Sequence, residues 1–433
     1  MSLFGALNTA VSGLTSQSNA FSNIGDDVAN SQTTGFKRID TRFTDYLTTS
    51  TAATNQSGAV VARPEYINNV QGSVTQTDNP LSLAITGNGF FAVNHPVGDA
   101  NGVPVFKLQT EYTRAGDFSL NKDNYMVNGS GDFLSGWPAN TAGVVDTSKI
   151  VPIKVSQAGF NPVPTSNATL AANLPASPDG APINTQVPVI DTLGRQQTLN
   201  LAWSPISGSP NTWSVSVSQE GAASPLGTAT VTFGSAGNPA ASEGTVGNVT
   251  ATSGAVTGST YAAGASATIG ISANFGAGAQ PLTLNLGHFG QTDGLTQFAG
   301  TSYSLRSLTQ NGVKPGNYTG VSLNPNGDVV TNYDNGQSRV QARIPLTTFS
   351  NPNGLQRQDG QTFTETRESG QAQVEQAGNG GAGSLVTGSV ESSNVDIATE
   401  FTKLIVAQRA YSANTKLITT ADELLTSTIN LKQ

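Results

Sequence analysis

The chain contains no cysteine and only two histidines among its 433 residues. Without thiols a disulfide framework is excluded, and His95 and His288 alone offer little for a zinc site or a catalytic triad. The Gly87-Asn88-Gly89 stretch lacks the third glycine and the following helix of a nucleotide-binding loop, so we interpret it as a turn. The sequence therefore predicts no enzyme activity, no cofactor and no metal.

Charge is scarce as well. Charged residues make up 11% of the chain, and the formal net charge is −8. A mildly acidic balance argues against a nucleic-acid partner. The carboxylates are scattered, and we interpret the pairs Asp26-Asp27 and Asp422-Glu423 as solvated helix faces rather than as acid/base pairs.

Long apolar runs are absent too, which predicts no membrane span because crossing a bilayer takes about 18 or more apolar residues. The opening residues Met1-Ser2-Leu3-Phe4 begin neither a basic region nor a continuous apolar one. We therefore expect no cleaved secretory leader. If the protein is extracellular, it must leave the cell by a route that cleaves no leader.

Both ends of the chain carry an apolar repeat of seven residues, which is typical of a coiled coil. The positions that we predict to form the seam are Leu7, Leu14, Phe21, Ile24 and Val28 at one end, and Ile397, Phe401, Leu404, Tyr411, Ile418 and Leu425 at the other. The flank beside the second row is small, with Ala407, Asn414 and Ala421. We predict that the first helix ends near Asn30 and that Ser393 with Asp396 forms a capping box at the start of the second.

Neither helix is expected to be stable alone, because helices in water depend on packing an amphipathic face. We predict that the two ends pair with each other and with copies of themselves. An ordinary helical hairpin that caps a monomer remains an alternative at this point.

The middle of the chain has the alternation and turn signals of β-structure. Leu193-Gly194 is a predicted hairpin turn, as are Asn326-Gly327-Asp328 and Asp334-Asn335-Gly336. The predicted fold class is mixed and mainly β, with paired N- and C-terminal α-helices in a coiled coil and nested, discontinuous β domains. The predicted divisions are a terminal helical domain (1–30 and 390–433), an extended linker (31–70), an inner β domain (71–146 and 312–389) and an inserted outer β domain (147–311).

Four segments resemble the bacterial flagellar rod and hook (axial) protein family: residues 7–14, 23–37, 85–93 and 391–411. The residues that match its motifs are Ala29, Asn30, Thr33, Gly35, Phe36 and Lys37 near the first helix, and Asn394, Val395, Asp396, Gln408 and Arg409 at the second. These motifs do not separate rod from hook proteins. Two further stretches, 294–298 and 308–316, are similar to hook proteins in particular.

The resemblance implies a structural subunit that is exported unfolded through the flagellar type III apparatus and polymerises outside the cell into a curved tube. The terminal helices would line the channel, and the β domains would form the outer layers. The tube would act as a universal joint that passes torque from rod to filament. The implied partners are further copies of the chain, the distal rod, the hook cap and the hook–filament junction proteins.

Other classes of protein remain as alternatives. Within the same family, the chain could be a distal rod or hook–filament junction subunit, although the rod proteins are shorter and lack the inserted domain. Outside the family, a secreted β-rich enzyme, a carbohydrate-binding module or an adhesin is a weaker interpretation. Those enzymes and modules usually carry a leader and clustered aromatic or acidic residues, and adhesins rarely have matched heptads at both ends.

Overall fold

The structure is a computed structural model, and it describes residues 3–50, 55–100 and 102–430. The outermost ends of the predicted helical domain and part of the predicted linker therefore lie outside the described residues. The chain divides into two compact units. Unit 1 comprises residues 1–157, 320–332 and 338–433, and unit 2 comprises residues 158–319 and 333–337.

The elements follow one another in this order. The chain begins with α1 (Leu3–Ala29), β1 (Ile39–Ser50), β2 (Asn55–Tyr66), β3 (Val74–Gln76), β4 (Leu83–Thr86), β5 (Phe91–Asn94), β6 (Pro96–Ala100), β7 (Val103–Phe106), β8 (Glu111–Thr113), β9 (Ser119–Leu120), β10 (Met126–Val127), β11 (Phe133–Pro138) and β12 (Val151–Pro152). It continues with β13 (Asn167–Pro175), β14 (Ile183–Ile190), β15 (Gln196–Pro205), β16 (Thr212–Gln219), β17 (Gly227–Phe233), β18 (Val246–Gly254), β19 (Val256–Gly258), β20 (Ser266–Asn274), β21 (Ala279–His288), β22 (Thr296–Phe298) and β23 (Ser304–Gln310). The remaining elements are β24 (Tyr318–Leu323), β25 (Asp328–Tyr333), β26 (Ser338–Arg343), β27 (Leu346–Thr348), β28 (Gln356–Arg357), β29 (Thr362–Thr364), β30 (Gln373–Glu375), β31 (Ser384–Thr387), β32 (Ser389–Glu391) and α2 (Ile397–Asn430).

Unit 2 is a sandwich of two β-sheets. One sheet has the order β14-β15-β16-β17-β18, and the other has the order β19-β20-β21-β13-β22 with β23 beside β13. Every second residue of β15 and β16 points into the core, including Trp203 and Trp213, which are both buried. The predicted turn between β14 and β15 is confirmed, and Gly194 adopts a φ of 79° there.

The β part of unit 1 is built on a sheet with the order β24-β25-β26-β11-β5-β8-β29-β28. Its aromatic core includes Phe90, Tyr112, Phe349 and Phe363. The predicted turn at Asn326-Gly327-Asp328 joins β24 to β25, where the Gly327 N–H donates to the Asn324 carbonyl at 2.9 Å. The chain is mostly β with one helix at each end, as the sequence predicts.

The two terminal helices pack against each other. The rings of Phe21 on α1 and Tyr411 on α2 meet edge to face, with centroids 6.2 Å apart. A Cβ on Gly13 would lie 2.8 Å from the Asn414 Nδ2 atom, so the Asn414 side chain packs directly on this glycine. The predicted pairing of the ends and the predicted end of the first helix are confirmed. Supercoiling into a coiled coil stays a prediction.

The predicted extended linker over 31–70 is wrong for most of its length. β1 and β2 form an antiparallel hairpin that packs on α1. Two serines of α1 bond directly to β2: the Ser16 hydroxyl donates to the Val60 carbonyl at 2.9 Å, and the Ser12 hydroxyl accepts from the Val60 N–H at 3.1 Å. Because these contacts are polar on both sides, the segment shows little of the apolar alternation by which strands are usually recognised.

The start of α2 also differs from the prediction. The helix begins at Ile397, and Asp396 caps it by accepting from the Thr399 N–H at 2.8 Å. Ser393 accepts instead from the Val395 N–H at 3.3 Å, before the helix begins. A short carboxylate at the last non-helical position satisfies a free backbone donor and also favours the positive end of the helix dipole.

The structure divides the β regions a little differently from the sequence. Unit 2 contains most of the predicted inserted domain but begins and ends later, at residues 158 and 319, and it also includes residues 333–337. Most of the predicted inner domain lies in the same compact unit as the helices. The assignment of helical, inner and outer layers to an assembled polymer stays a prediction.

Candidate assembly surface and buried junction

The predicted seam residues are not the most deeply buried residues of the helix pair. Among them only Ile24 is buried; Leu7, Leu14, Phe21, Val28, Leu404, Ile418 and Leu425 are half-buried, and Ile397, Phe401 and Tyr411 are exposed. Most of the other buried positions that are apolar are small: Ala10, Gly13, Ala20, Ala407 and Ala421. Small side chains set a short distance between helix axes, so the row that the sequence analysis treated as a flank takes part in the contact within the chain, together with seam residues such as Phe21 and Tyr411.

Several large apolar side chains on α2 are exposed. We call them the α2 stripe, and its members are Phe401, Ile405, Val406, Leu417 and Leu424. Phe401 is 52% exposed and Leu417 is 60% exposed. At 3.6 residues per turn, Phe401 and Ile405 lie on one side of the helix and the other three lie on another. Isolated apolar residues on a surface need no explanation, but several large ones on one helix favour an interaction surface.

The β1–β2 hairpin adds to this apolar surface. Phe43, Tyr46 and Leu47 of β1 are all exposed. A groove of about 540 Å³ lies between α1, α2 and the hairpin, and Phe43 and Val406 are among its lining residues. Exposed apolar residues of unit 1 also lie away from the helices and the hairpin, for example Val97, Val103 and Leu108.

A buried ionic cluster lies where the terminal helices join the β part of unit 1. We call Lys37, Arg114 and Glu391 the junction cluster. The Glu391 carboxylate accepts from Lys37 Nζ at 2.5 Å through one oxygen and from Arg114 Nη1 at 2.9 Å through the other. The three side chains are 1%, 5% and 1% exposed, respectively. Buried charges are costly unless they are paired and hydrogen-bonded. The cluster therefore stabilises the contact between its three segments only while all three side chains are present.

The motif residues around the cluster complete the junction. Asn394 accepts from the Arg38 N–H at 2.7 Å and donates to the carbonyls of Ile67 and Val70, each at 3.0 Å. Gly35 donates its N–H to the Glu391 carbonyl at 2.8 Å. A Cβ on Gly35 would lie 2.3 Å from a backbone nitrogen of the neighbouring segment, and φ is 71° there, so only glycine fits.

Burial shifts the ionisation of the cluster. Desolvation lowers the pKa of Lys37 to about 8, while the adjacent Glu391 carboxylate opposes that shift. Burial also lowers the pKa of Arg114, again against the effect of Glu391. At neutral pH both cations remain charged, so the single carboxylate between them carries the electrostatic balance of the junction.

Asp27 corrects the interpretation of Asp26-Asp27 as a solvated pair. Its side chain is buried, and its two carboxylate oxygens accept from the Ile39 N–H at 2.9 and 3.1 Å. Desolvation is the largest influence and, with the nearby Glu400, raises the pKa of Asp27 to about 7, although the Ile39 N–H and Lys403 act in the opposite direction. Lys403 pairs with Glu400 at 2.7 Å and with Asp40, so this group of charges links both helices to the hairpin.

The other motif residues lie at the ends and on the surface of the helices. Ala29 is the last residue of α1. Just beyond it, the Asn30 side chain donates to the Asp26 carboxylate at 2.9 Å, and the Thr33 hydroxyl donates to the Asn30 side chain at 3.1 Å. Val395 is half-buried before the Asp396 cap, and Gln408 and Arg409 are exposed on α2. The motif residues near both ends, Phe36, Lys37 and Asn394, do come together at the junction.

Sequence reasoning missed Arg114, Glu391 and Asp27. A signal existed for Glu391, because it begins the motif segment 391–411 in a chain that is poor in charge.

Three family models match the chain and define its class. Residues 84–224 match "Flagellar hook protein FlgE/F/G D1 domain", residues 161–313 match "Flagellar basal body protein FlaE D2 domain", and residues 386–431 match "Flagellar basal body rod FlgEFG protein C-terminal". The chain is therefore of the flagellar axial class, which is a class of structural proteins.

Individual relatives narrow this class. The flagellar hook protein FlgE of Brucella suis is 32% identical over 440 residues, covering 100% of both chains. FlgE of Rhizobium meliloti is 31% identical over 442 residues, also covering 100% of both. FlgE of Escherichia coli is 28% identical over 446 residues, covering 99% of this chain and 100% of the relative. The chain belongs to the flagellar hook protein family.

A solved structure, the hook protein FlgE2 of Helicobacter pylori, is similar at 12% identity with a TM-score of 0.47, over 72% of this chain and 98% of the other. Within the described part of the chain, neither helix is long and apolar enough to cross a membrane. The same residues include no group of three or more acidic or histidine side chains arranged to hold a metal ion.

Proposed function

We propose that this chain is the structural subunit of a bacterial flagellar hook and that it self-assembles through its terminal helices. The observation that carries the proposal is the α2 stripe. The helix pair buries small residues within the chain and leaves several large apolar ones exposed. In a chain that aligns end to end with hook proteins, the partner that fits such a stripe is a neighbouring copy.

Assembly follows from the geometry of such contacts. A surface on one copy that binds a different surface on the next gives an open helical polymer when the rotation does not close a ring. The residues proposed for these contacts are the predicted seam residues that are exposed, namely Ile397, Phe401 and Tyr411, together with the rest of the α2 stripe. The helices would line the channel, and the β domains would form the outer layers of the tube.

Bending places a second demand on the subunit. A curved tube that rotates must lengthen and shorten the contacts of each subunit once per turn. With only 11% charged residues, the chain offers surfaces that can slide without breaking strong ion pairs. This suits a universal joint that passes torque from the rod to the filament.

The proposed partners are those of a hook outside the cell. They are other copies of this chain, the distal rod at one end, the hook–filament junction proteins at the other, and the hook cap during growth. Export through the flagellar type III apparatus would deliver the chain to the growing hook. No catalytic role, cofactor or nucleic acid is part of the proposal.

Electron microscopy of the purified chain at high salt tests the role of the helices. We expect curved tubes from the full chain and none after deletion of Ala421–Gln433. Tubes from the deleted chain would contradict the proposal that the terminal helices hold the polymer together.

Point variants test the α2 stripe more sharply. Replacing Phe401 and Leu417 by serine removes two exposed apolar side chains, and we expect a folded chain that no longer forms tubes. The matched control is Thr402→Ser with Thr420→Ser, two exposed positions on the same helix. Equal tube formation by both pairs would show that the α2 stripe is not the assembly surface.

The runner-up, a distal rod or junction subunit, is disfavoured by the match of residues 161–313 to the D2 domain and by the full-length alignment with hook proteins. A rod subunit would form straight tubes, so the shape of the polymer in the same micrographs separates the two functions.

A further inference from the structure

The sequence contains eight asparagines that directly precede a glycine: Asn88, Asn101, Asn128, Asn311, Asn326, Asn335, Asn353 and Asn379. Such a pair can react with itself, because glycine has no side chain to keep its backbone nitrogen away from the neighbouring amide group. The reaction requires that the asparagine side chain is free to move and that the N–H of the glycine is not held in a hydrogen bond. The fold therefore decides which pairs react. Asn101 lies outside the described residues.

Hydrogen bonds hold both parts of four described pairs. At Asn311, the side-chain oxygen accepts from the N–H groups of Ser166 and Asn167 at 3.0 and 2.9 Å, and the Gly312 N–H donates to the Gln310 side chain. The other pairs in which both the side chain and the following N–H are bonded begin at Asn128, Asn335 and Asn353. These four pairs are protected by the fold.

Two further pairs are restricted at the glycine. The Asn326 side chain is exposed, but the Gly327 N–H donates to the Asn324 carbonyl at 2.9 Å. Asn88 is exposed as well, but Gly89 is buried, and a Cβ there would lie 3.2 Å from the Leu346 side chain. Water therefore reaches the nitrogen of Gly89 less readily than that of an exposed glycine.

The pair Asn379-Gly380 meets every requirement. Both residues are exposed. Within the part of the chain that the structure describes, neither the Asn379 side chain nor the Gly380 N–H has a hydrogen-bond partner. The turn that carries the pair has two more glycines with positive φ, at Gly378 and Gly381, so its backbone has wide conformational freedom. No other described pair combines these features.

We propose that Asn379 is a site of spontaneous deamidation, a covalent modification that requires no enzyme and no cofactor. The Gly380 nitrogen attacks the side-chain Cγ of Asn379, the new N–Cγ bond closes a succinimide ring, and the Cγ–Nδ2 bond breaks. The amide nitrogen leaves as ammonia and takes the proton of the Gly380 N–H. Water then opens the ring at one of its two carbonyls and leaves an aspartyl or an isoaspartyl residue. The net change is the uptake of one water and the loss of one ammonia.

The modification changes unit 1 locally. Either product adds a negative charge next to the Glu375 side chain, which lies against Gly380. The isoaspartyl product also lengthens the main chain by one carbon inside a turn that is closed by two hydrogen bonds. In this turn the Ala382 N–H donates to the Asn379 carbonyl at 2.9 Å, and the Gly378 N–H donates to the Gly383 carbonyl at 2.8 Å. The charge of this surface therefore becomes more negative as the protein ages.

Peptide mapping by mass spectrometry tests the site, after incubation of the full chain in a mildly alkaline buffer. Each hydrogen bond that must open first should slow the reaction roughly fivefold. We expect Asn379 to convert first, Asn326 about fivefold more slowly, and Asn311, with three bonds to open, roughly a hundredfold more slowly. An Asn379 that stays unmodified while another pair converts would overturn the proposal, as would conversion of Asn311 at the same rate.

Asn88 is a control for the effect of local sequence, because Gly87-Asn88-Gly89 and Gly378-Asn379-Gly380 are the same tripeptide. We expect Asn379 to convert faster than Asn88 in the folded chain and at the same rate in guanidinium chloride. Equal rates in the folded chain, or an advantage of Asn379 that persists in the unfolded chain, would show that the fold does not select this site.

The variant Asn379→Gln supplies a second arm. Its side chain is longer by one methylene, so attack must close a six-membered ring, and we expect the early release of ammonia to be lost. The matched control is Asn326→Gln, at another exposed asparagine whose side chain has no described hydrogen bond, and its conversion at Asn379 should equal that of the parent. Early release of ammonia that is unchanged in Asn379→Gln would exclude Asn379 as the reactive residue.

Discussion

Replacing Glu391 by glutamine removes the only anion of the junction cluster while keeping the size of the side chain. In the parent, the two carboxylate oxygens separate the Lys37 ammonium from the Arg114 guanidinium, at 2.5 and 2.9 Å respectively. The Gly72 N–H also donates to this carboxylate, at 2.9 Å. In the variant, two buried cations face a neutral amide whose nitrogen cannot accept from either of them.

The expected loss of stability is large. Breaking a buried ion pair by removing one partner typically costs about 3–5 kcal/mol, since it leaves an uncompensated charge in a medium of low polarity. Here the carboxylate serves two cations, each no more than 5% exposed. We therefore expect Glu391→Gln to destabilise unit 1 by about 4 kcal/mol, which is a substantial part of the stability of an ordinary domain.

Native-state hydrogen exchange measures this loss segment by segment. Amides of unit 1 around Gly35, Leu83 and Tyr112 should open more easily in the variant by that amount. Amides in the core of unit 2, around Leu201 and Val215, should be unaffected. The control is Glu423→Gln, which changes the charge equally at an exposed position of α2.

Opening free energies in unit 1 that stay within about 1 kcal/mol of the parent would refute the reasoning, because surface substitutions already give changes of that order. Equal destabilisation of both units would refute it in a different way, since the effect would then not be local to the junction.

Three further predictions concern the helices and their connections. Burial raises the pKa of Asp27 from 3.8 to about 7, so between these pH values the folded chain holds a proton that the unfolded chain releases. The bound proton stabilises the folded chain. This contribution to the free energy of unfolding is complete below pH 3.8 and is lost as the pH rises through 7. Asp27→Asn should therefore be insensitive to this change, and denaturant titrations at about pH 4 and about pH 8 should show the parent losing roughly 3–4 kcal/mol relative to the variant. Gly13→Leu should destabilise the helix pair by about 1–3 kcal/mol through overpacking against Asn414. Gly25→Leu is the control, because a Cβ added there meets nothing within 4 Å, and it should be neutral or stabilising in the same denaturant titration. Equal losses of stability in the two variants would contradict the packing of Asn414 on Gly13. Asn394→Ala should cost about 2–3 kcal/mol because it leaves the Arg38 N–H and two carbonyls without their partner. Asn394→Asp keeps the acceptor for the Arg38 N–H but sets a carboxylate oxygen against the two carbonyls, so it should protect the Arg38 amide from hydrogen exchange better than Asn394→Ala does without restoring the stability. Equal protection of that amide in the two variants would contradict the assignment.

The sequence predicts the helical ends and the β middle well because both depend on local periodicity. The seven-residue repeat and the polar residues near Asn30 are enough to place α1, and the turn residues at Leu193-Gly194 are enough to place a hairpin. The choice of packing row is harder. The clearest repeat consists of Ile397, Leu404, Tyr411, Ile418 and Leu425. The more deeply buried positions of α2 include the small Ala407 and Ala421. A repeat by itself does not say which face of a helix is covered within the same chain.

The buried charges could not be predicted for a different reason. Lys37 and Glu391 are separated by 354 positions, and Arg114 and Glu391 by 277. No local pattern marks a residue whose partner is so distant. Asp27 was misinterpreted because the segment that covers it offers no apolar pattern in the sequence. In the fold, the backbone N–H of Ile39 donates to the Asp27 carboxylate in place of solvent water.

The junction has a consequence for the order in which the chain folds. Contacts between residues so far apart in sequence are slow to form, because closing a long loop costs entropy before any contact compensates for it. The sandwich of unit 2 and the sheets of unit 1 lie within that loop, and once folded they shorten it. We therefore expect the junction to close after the β-structure has formed. Until then α1 would have no helix of its own chain to pair with.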